Sequence, residues 1–273
     1  MNESNDAVDE ENKVSNCNNE QDVENKSSLF STPLYIQRYA MAKNILSDEP
    51  GIKKIVDFGS AEGKFFKYIK YLPRVEEIIL VDINENIIGN LTYAVRPLPW
   101  DYLCKRDQTL MVRIFVGSVS SPDLNILKNV DAITCIELIE HLKPEELEKF
   151  PKSIFGLIRP KIVILTTPNS DYNVLFPNFK GFRHWDHKFE WSTQEFQKWC
   201  RDVVDSYPRY TVEFSGVGNP PEESKHLGYC TQIAIFRRSG QQNVVEYPVT
   251  DFEPYTLIKE FEYPGKNEVK KED

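Results

Sequence analysis

Two short stretches of this chain concentrate side chains able to hold a metal ion. The first is Asp131-Ala-Ile-Thr-Cys-Ile-Glu137-Leu-Ile-Glu140-His141-Leu142, an apolar run of buried-strand type that ends in two carboxylates and an imidazole within five residues. The second, His184-Trp-Asp-His187-Lys-Phe-Glu-Trp191, adds two more imidazoles. A helical turn opening at Glu137 would project positions i, i+3 and i+4 to one side. Carboxylates with imidazoles form a mixed O/N set. It suits Mg²⁺, Mn²⁺ or Co²⁺ better than structural zinc, which prefers thiolates. E-x-x-E-H taken alone reads equally well as a salt-bridged helix start. His187 sits just ahead of Ser192-x-x-Glu195, a capping box, where neighbouring aromatics can hold its ring toward the first stretch. His184 is the rival ligand, or a surface histidine beside Arg183. His226 has no partner in sequence and reads as solvated.

A cofactor is expected at Asp57-x-Gly59-Ser60-Ala61-x-Gly63, a strand-turn-helix junction with small residues where backbone must pass close to a ligand. Asp82 ends the next strand, 25 residues after Asp57, where a carboxylate can accept both ribose hydroxyls of an adenosine. Nicotinamide dinucleotides and S-adenosylmethionine both fit such a pair. The turn departs from G-x-G-x-x-G, and Asp57 would repel a pyrophosphate while suiting a methionine ammonium, which favours S-adenosylmethionine. A turn with no ligand is the plain alternative. Ser118, after the third strand, reads either as an adenine contact or as an ordinary strand end.

The elements that must position these groups alternate. Apolar runs over 53–57, 76–82, 112–116, 130–136 and 161–167 read as buried strands, separated by helical patterns. Thr32 and Pro33 suit the opening of a helix over 33–46. Pro144 to Ile158 reads as helical with a break at Pro151. Tyr210 to Val217 and Cys230 to Arg237 read as an antiparallel pair at a sheet edge. The sum is a doubly wound, Rossmann-like α/β fold whose sheet is mostly parallel. Ligands sit beyond the carboxyl ends of such strands. Asp57, Asp82, Ser118, Glu137 and Asn169 all fall there.

The 273 residues are 40% hydrophobic and 27% charged, which suits one sizeable domain with room for tails. The net charge of -9 is concentrated at the ends. Residues 1–28 hold eight acids and two bases, and 240–273 hold eight acids and four bases, so 29–239 is close to neutral. That core carries no general polyanion-binding signature, and nucleic-acid contact must be local. Residues 1–28 lack aromatics and are expected to be disordered, and 240–273 is expected to be a partly disordered acidic extension to a domain over 29–239. Five cysteines with no C-x-x-C argue against a disulfide framework. No signal or membrane-spanning run is present, and a cytoplasmic protein is expected.

Pro33-Leu-Tyr-x-Gln-Arg-Tyr39, Val56-Asp-Phe-Gly59, Leu80-Val-Asp-Ile83, Gly117-Ser-Val119, Cys135-Ile-Glu-Leu-Ile-Glu-His-Leu142, Thr167-Pro-Asn-Ser170, Asp186-His-Lys-Phe-Glu-Trp191, Gly216-Val-Gly218 and Gln232-Ile-Ala-Ile-Phe236 together resemble the Hen-type small-RNA 3′-terminal 2′-O-methyltransferases, which in animals act on piRNAs. The resemblance covers about 30–238. It implies a class I methyltransferase fold, S-adenosylmethionine as donor, and an Mg²⁺ or Mn²⁺ ion bound by Glu137, Glu140, His141 and His187. That ion would hold the vicinal hydroxyls of the terminal ribose, with His141 the better placed of the groups able to take a proton. Lys180, Arg183 and Lys188 could meet the terminal phosphates, and read equally well as a simple solvated basic loop. Plant relatives carry double-stranded-RNA modules that this chain lacks, which points to a single-stranded substrate handed over by an Argonaute or Piwi protein. The turn Ser60-Ala61-Glu62 departs from the Gly-richer forms of the wider class. Quinone-biosynthesis methyltransferases carry a similar E-x-x-E-H, so a metal-dependent methyltransferase of a catechol or quinol is the competing enzyme. A non-enzymatic RNA-binding protein is a third reading.

Overall fold

The computed structural model describes residues 30–240 and 254–266. The expected tail over 1–28 lies outside them. Five aliphatic runs form parallel strands: β1 (Lys54–Phe58), β2 (Glu77–Asp82), β3 (Leu110–Val116), β4 (Ala132–Ile136) and β5 (Ile162–Pro168). β1, β2, β4 and β5 are buried on both faces, hence near-continuous apolar sequences rather than alternating ones, while β3 is half-buried at Met111, Arg113 and Val116. Beyond β5 lies β7 (Thr231–Arg238), antiparallel to both β5 and the edge strand β6 (Tyr210–Val217). With a last strand, β8 (Thr256–Tyr263), at the far edge, the full order is β6-β7-β5-β4-β1-β2-β3-β8.

Helices cover the two faces. α1 (Leu34–Asp48), α2 (Phe66–Ile69) and α3 (Ile88–Ala94) bury Ala42, Ile45, Phe66, Ile69 and Leu91 against one side. α4 (Pro99–Leu103) follows α3 and precedes β3. α5 (Pro144–Pro151) and α6 (Thr193–Ser206) set Phe150, Phe196, Cys200 and Val203 against the other side. The expected capping box opens α6: Ser192 Oγ accepts from the Glu195 amide at 3.3 Å. α1 has no side-chain cap, and it is the Thr32 carbonyl, not its hydroxyl, that accepts from Gln37 Nε2. Pro151 does not stop its helix. The proline lacks an N–H, and the chain continues as a wider π-helical stretch over Lys152–Ile158, closed by Arg159 N on the Ile154 carbonyl at 2.8 Å.

The sheet extends past the boundary at 239. Thr256–Tyr263 forms β8, antiparallel to β3. Its acids and exposed face make it read as tail, yet Tyr263 is buried, with its hydroxyl on the Val95 carbonyl at 2.6 Å. Tyr255 packs on Phe115 and fills the space beside Gly117, where a Cβ would come within 2.4 Å of its ring. The Tyr255 hydroxyl donates to the Ser118 carbonyl at 2.7 Å. This segment thereby fixes the loop after β3. Among the described residues no helix is long and apolar enough to cross a membrane.

Candidate active site

The turn after β1 is held open by glycine where side chains would collide. Gly59 has φ +73°, and a Cβ there would sit 2.9 Å from Leu138 Cδ1. Gly63 has φ +71°, with Leu91 Cδ1 at 2.8 Å from the same added atom. Both positions favour a residue without Cβ. The Ser60 hydroxyl turns inward and donates to the Asp57 carbonyl at 2.8 Å. Asp82 clasps the turn from the neighbouring strand: its two carboxylate oxygens accept the amides of Ala61 and Asn84, each at 2.9 Å. Asp57 and Asp82 therefore stand on adjacent strand ends around one backbone cradle. Ser118 Oγ lies 2.9 Å from Ser120 Oγ.

Asp57 is fully buried and accepts from Thr134 Oγ1 at 2.6 Å. Burial pushes its carboxyl up to about 7; the Thr134 hydrogen bond opposes this and the Asp82 charge adds to it. An ammonium-bearing ligand prefers the ionised form. Affinity for S-adenosylmethionine is therefore expected to rise as pH increases through about 7, by up to tenfold per unit on the acid side. Calorimetric titration across that range checks this, and Asp57→Asn should be both weaker and flat. Asp82→Ala removes two acceptors of charge-assisted bonds, each worth roughly 1.5–3 kcal/mol, so cofactor affinity should fall at least about a hundredfold. Unchanged affinity in the folded variant would remove Asp82 from the site.

The second group forms where β4 ends. Glu137 has φ +51°, a left-handed conformation that turns the chain sharply into a 3₁₀ turn over Ile139–His141. The expected helical start at Glu137 is absent. Glu137 and Glu140 remain near enough for their charges to interact, while His141 groups instead with His184 and His187. Glu137 Oε1 accepts from Thr166 Oγ1 at 2.8 Å, and its Oε2 lies 3.5 Å from Arg38 Nη1 on α1. Glu140 is wholly buried. Its Oε2 accepts from Thr167 Oγ1 at 3.0 Å, and its Oε1 has no hydrogen-bond partner. Burial first, and then the Glu137 charge, hold the Glu140 carboxyl well above the usual range.

The loop between β5 and α6 supplies the remaining groups. Lys188 N donates to the Glu140 carbonyl at 2.8 Å and ties the two stretches together. His141 Nδ1 lies 3.1 Å from Asp186 Oδ2, and His187 Nδ1 lies 2.7 Å from Glu190 Oε1. Those carboxylates accept, so each imidazole carries its proton on Nδ1 and leaves Nε2 as a lone-pair donor. One ligand-capable atom from each of His141, His184 and His187 lies within 4.8 Å of the others. His184 thus joins the cluster beside His187. Its Nδ1, however, accepts the Asp186 amide at 3.2 Å, which places the proton of the neutral ring on Nε2. Burial opposes ionisation of Glu190, but hydrogen bonds from His187, the Arg183 amide and Asn173 hold its carboxyl below the usual value.

Residues 35–206, well over half of the chain, match the family model of a methyltransferase domain. A crystal structure of a bacterial Hen1 methyltransferase domain is 30% identical and superposes with a TM-score of 0.62, covering 74% of this chain and 98% of that one. The chain belongs to the Hen-type small-RNA methyltransferase family. Within this family, the small RNA 2′-O-methyltransferase of Drosophila melanogaster is 43% identical over 251 residues, 86% of this chain and 64% of that protein. The crystal structure of small RNA methyltransferase HEN1 gives a TM-score of 0.72 at 29% identity, over 86% of this chain and 28% of that one. This chain spans between about half and just under two thirds of the length of its animal relatives. The sheet is that of class I S-adenosylmethionine-dependent methyltransferases.

Within the Hen-type site several working residues have roles that local sequence does not assign. Arg38 reaches Glu137 from α1, about 100 residues away in the chain. Thr134, Thr166 and Thr167 supply hydroxyl donors to Asp57, Glu137 and Glu140. A polar residue within an aliphatic strand is the available signal for all three. Asn169, at a strand end, serves the fold: its Nδ2 donates to the Leu227 and Tyr229 carbonyls, both at 2.8 Å. Arg183 is likewise committed inward, with Nη1 on the Cys230 carbonyl at 2.9 Å and Nε on Asn173 Oδ1 at 2.6 Å. It fastens the loop rather than awaiting a phosphate. Lys188 pairs with Asp186 at 2.6 Å, while Lys180 and His226 are exposed.

Proposed function

We propose that the chain transfers the methyl group of S-adenosylmethionine to the 2′-hydroxyl of the 3′-terminal nucleotide of single-stranded small RNA, using a divalent ion such as Mg²⁺ or Mn²⁺. The observation that carries the metal is Glu140: its buried Oε1 has no hydrogen-bond partner, and a buried oxygen is costly to leave unpaired and suits a cation ligand. Glu137, Glu140, His141 and His187 fit the ion in donor chemistry, two anionic oxygens with two imidazoles whose Nδ1–H groups are fixed by carboxylates. Such an ion supplies acidification and orientation of bound hydroxyls at neutral pH.

The chain's own residues do the rest. Asp82 and the Gly59–Gly63 turn hold the donor's nucleoside, Asp57 its ammonium group, and Ser118 borders the adenine. Thr166, Thr167 and Arg38 keep Glu137 and Glu140 in place. A ligand role through Nε2, with Nδ1 already on Asp186, uses both ring nitrogens of His141. We therefore assign His141 to the ion rather than to the ribose proton. Both halves stand on one rim, which reduces the reaction to in-line approach of two held groups. The relatives' names carry the 2′-hydroxyl of small RNA as acceptor; a vicinal diol gripped at the metal end is what would demand a free 3′ terminus. Presentation by an Argonaute- or Piwi-class protein in the cytoplasm completes this reading. The test is transfer of a tritiated methyl group to a short single-stranded RNA with and without Mn²⁺, with a catechol in parallel. Labelled catechol and unlabelled RNA would reverse the assignment.

A further inference from the structure

The loop between β5 and α6 leaves three large apolar side chains at the surface, Val174, Phe182 and Trp185. Trp185 is 81% exposed, the highest value for a large apolar residue among the described residues. A single exposed apolar residue needs no explanation in general. This one differs because the turn beneath it is fastened on both sides. Arg183 anchors the approach to the Cys230 and Asn169 carbonyls and to Asn173 Oδ1. On the far side, His187 is buried against Glu190, and the His187 amide closes the turn on the His184 carbonyl at 3.2 Å. The Asp186 amide bonds His184 Nδ1. Glu190 joins the two sides, accepting from His187 Nδ1, the Arg183 amide and Asn173 Nδ2. The indole is therefore mounted on a rigid apex and directed away from the core.

Its position relates it to the chemistry. The Trp185 ring centroid lies 5.4 Å from that of His184, which lies 5.5 Å from both His141 and His187. Trp185 is one ring further out from the imidazole group. A flat, pre-ordered π-face beside a site that takes the end of a single strand matches how unpaired bases are held. Stacking is tolerant of sequence because every base presents a π-face. We infer that Trp185 is a stacking platform for one of the last two bases of the RNA. The inference rests on the RNA reading above.

Steady-state methylation of short single-stranded RNAs by the full chain tests it. Trp185→Ala should raise KM for RNA about tenfold, the loss expected for one stacked base, with the loss in KM rather than in kcat. Affinity for S-adenosylmethionine should not move. Trp185→Phe should restore most of the affinity, and Trp185→Leu should not, which separates a π-face from simple apolar bulk. An abasic nucleotide at the last or the penultimate position should raise the wild-type KM similarly and add nothing in Trp185→Ala. A wild-type enzyme that methylates RNA while Trp185→Ala matches it in KM overturns the inference and leaves the RNA reading standing. A defect that appears only when a partner protein presents the RNA would assign the ring to protein docking and overturn it as well. A wild type that methylates no RNA sinks both.

Discussion

Glu140→Gln is expected to eliminate methyl transfer and, in the same protein, to remove a loss of stability that the metal-free wild type suffers as pH rises. The two effects have one cause. Glu140 is buried completely, with Oε1 unpartnered and Glu137 beside it. Its folded carboxyl is held above its unfolded value, so the stability it contributes is fully present below about 4.3 and is lost as pH climbs through the folded value. Glutamine is neutral throughout and can keep the Thr167 hydrogen bond through its own oxygen. In EDTA, the melting temperature of Glu140→Gln minus that of wild type should widen as pH rises above about 4.3. Asp57, also raised by burial, contributes a slope of the same sign to both proteins and cancels in the difference. Mn²⁺ should raise the wild type and not the variant. Turnover should fall on the order of a thousandfold, the equivalent of several kcal/mol of lost metal assistance. Parallel stability profiles, or a variant with wild-type turnover, would dismiss Glu140 as a ligand.

The scaffold was readable because buried parallel strands leave a strong mark. The runs ending at Asp57, Asp82 and Glu137 are each apolar and each followed by a polar group, and all three polar groups reach one rim. β8 was not readable. Its exposed positions carry Lys259, Glu260 and Glu262, and an edge strand with one wet side has the composition of a tail. Pro151 misled for a related reason: a missing N–H breaks one hydrogen bond, yet a helix buried by Phe150, Ile154 and Phe155 can widen instead of ending. At the site, the ligand candidates His141 and His187 were visible as types, but the partners Asp186 and Glu190 were read only as part of a motif. Arg38 too is visible only as part of a motif, and its pairing with Glu137 is not, because no local spacing relates α1 to the end of β4. Arg183 shows the opposite error. A cation in a loop near a polyanion site invites a phosphate assignment, and only the carbonyl groups that surround it reveal that its donors are spent.

Blocking the 3′ end of the RNA should be nearly as damaging as removing the acceptor. If one ion grips both terminal hydroxyls, an RNA ending in a 2′-deoxy nucleotide is inert because nothing remains to methylate. A 3′-deoxy end keeps the acceptor but loses one ligand to the ion, and should react roughly ten- to a hundredfold more slowly, the worth of one charge-assisted contact. A 3′-phosphate adds charge and bulk at the same position and should be slower still. His187→Ala should reproduce the loss on ordinary RNA while leaving cofactor affinity intact, since His187 sits on the β5–α6 loop and Asp57 and Asp82 on β1 and β2. His187 is buried against Glu190, so Glu190→Gln serves as the second variant. It keeps the packing, weakens the hold on His187 Nδ1–H, and should lower metal affinity roughly ten- to a hundredfold. Product from ordinary RNA should resist periodate, because its vicinal diol is capped. Efficient methylation of 3′-phosphorylated RNA by EDTA-treated enzyme would show that neither the diol nor the ion takes part, and Glu137, Glu140, His141 and His187 would then need another purpose.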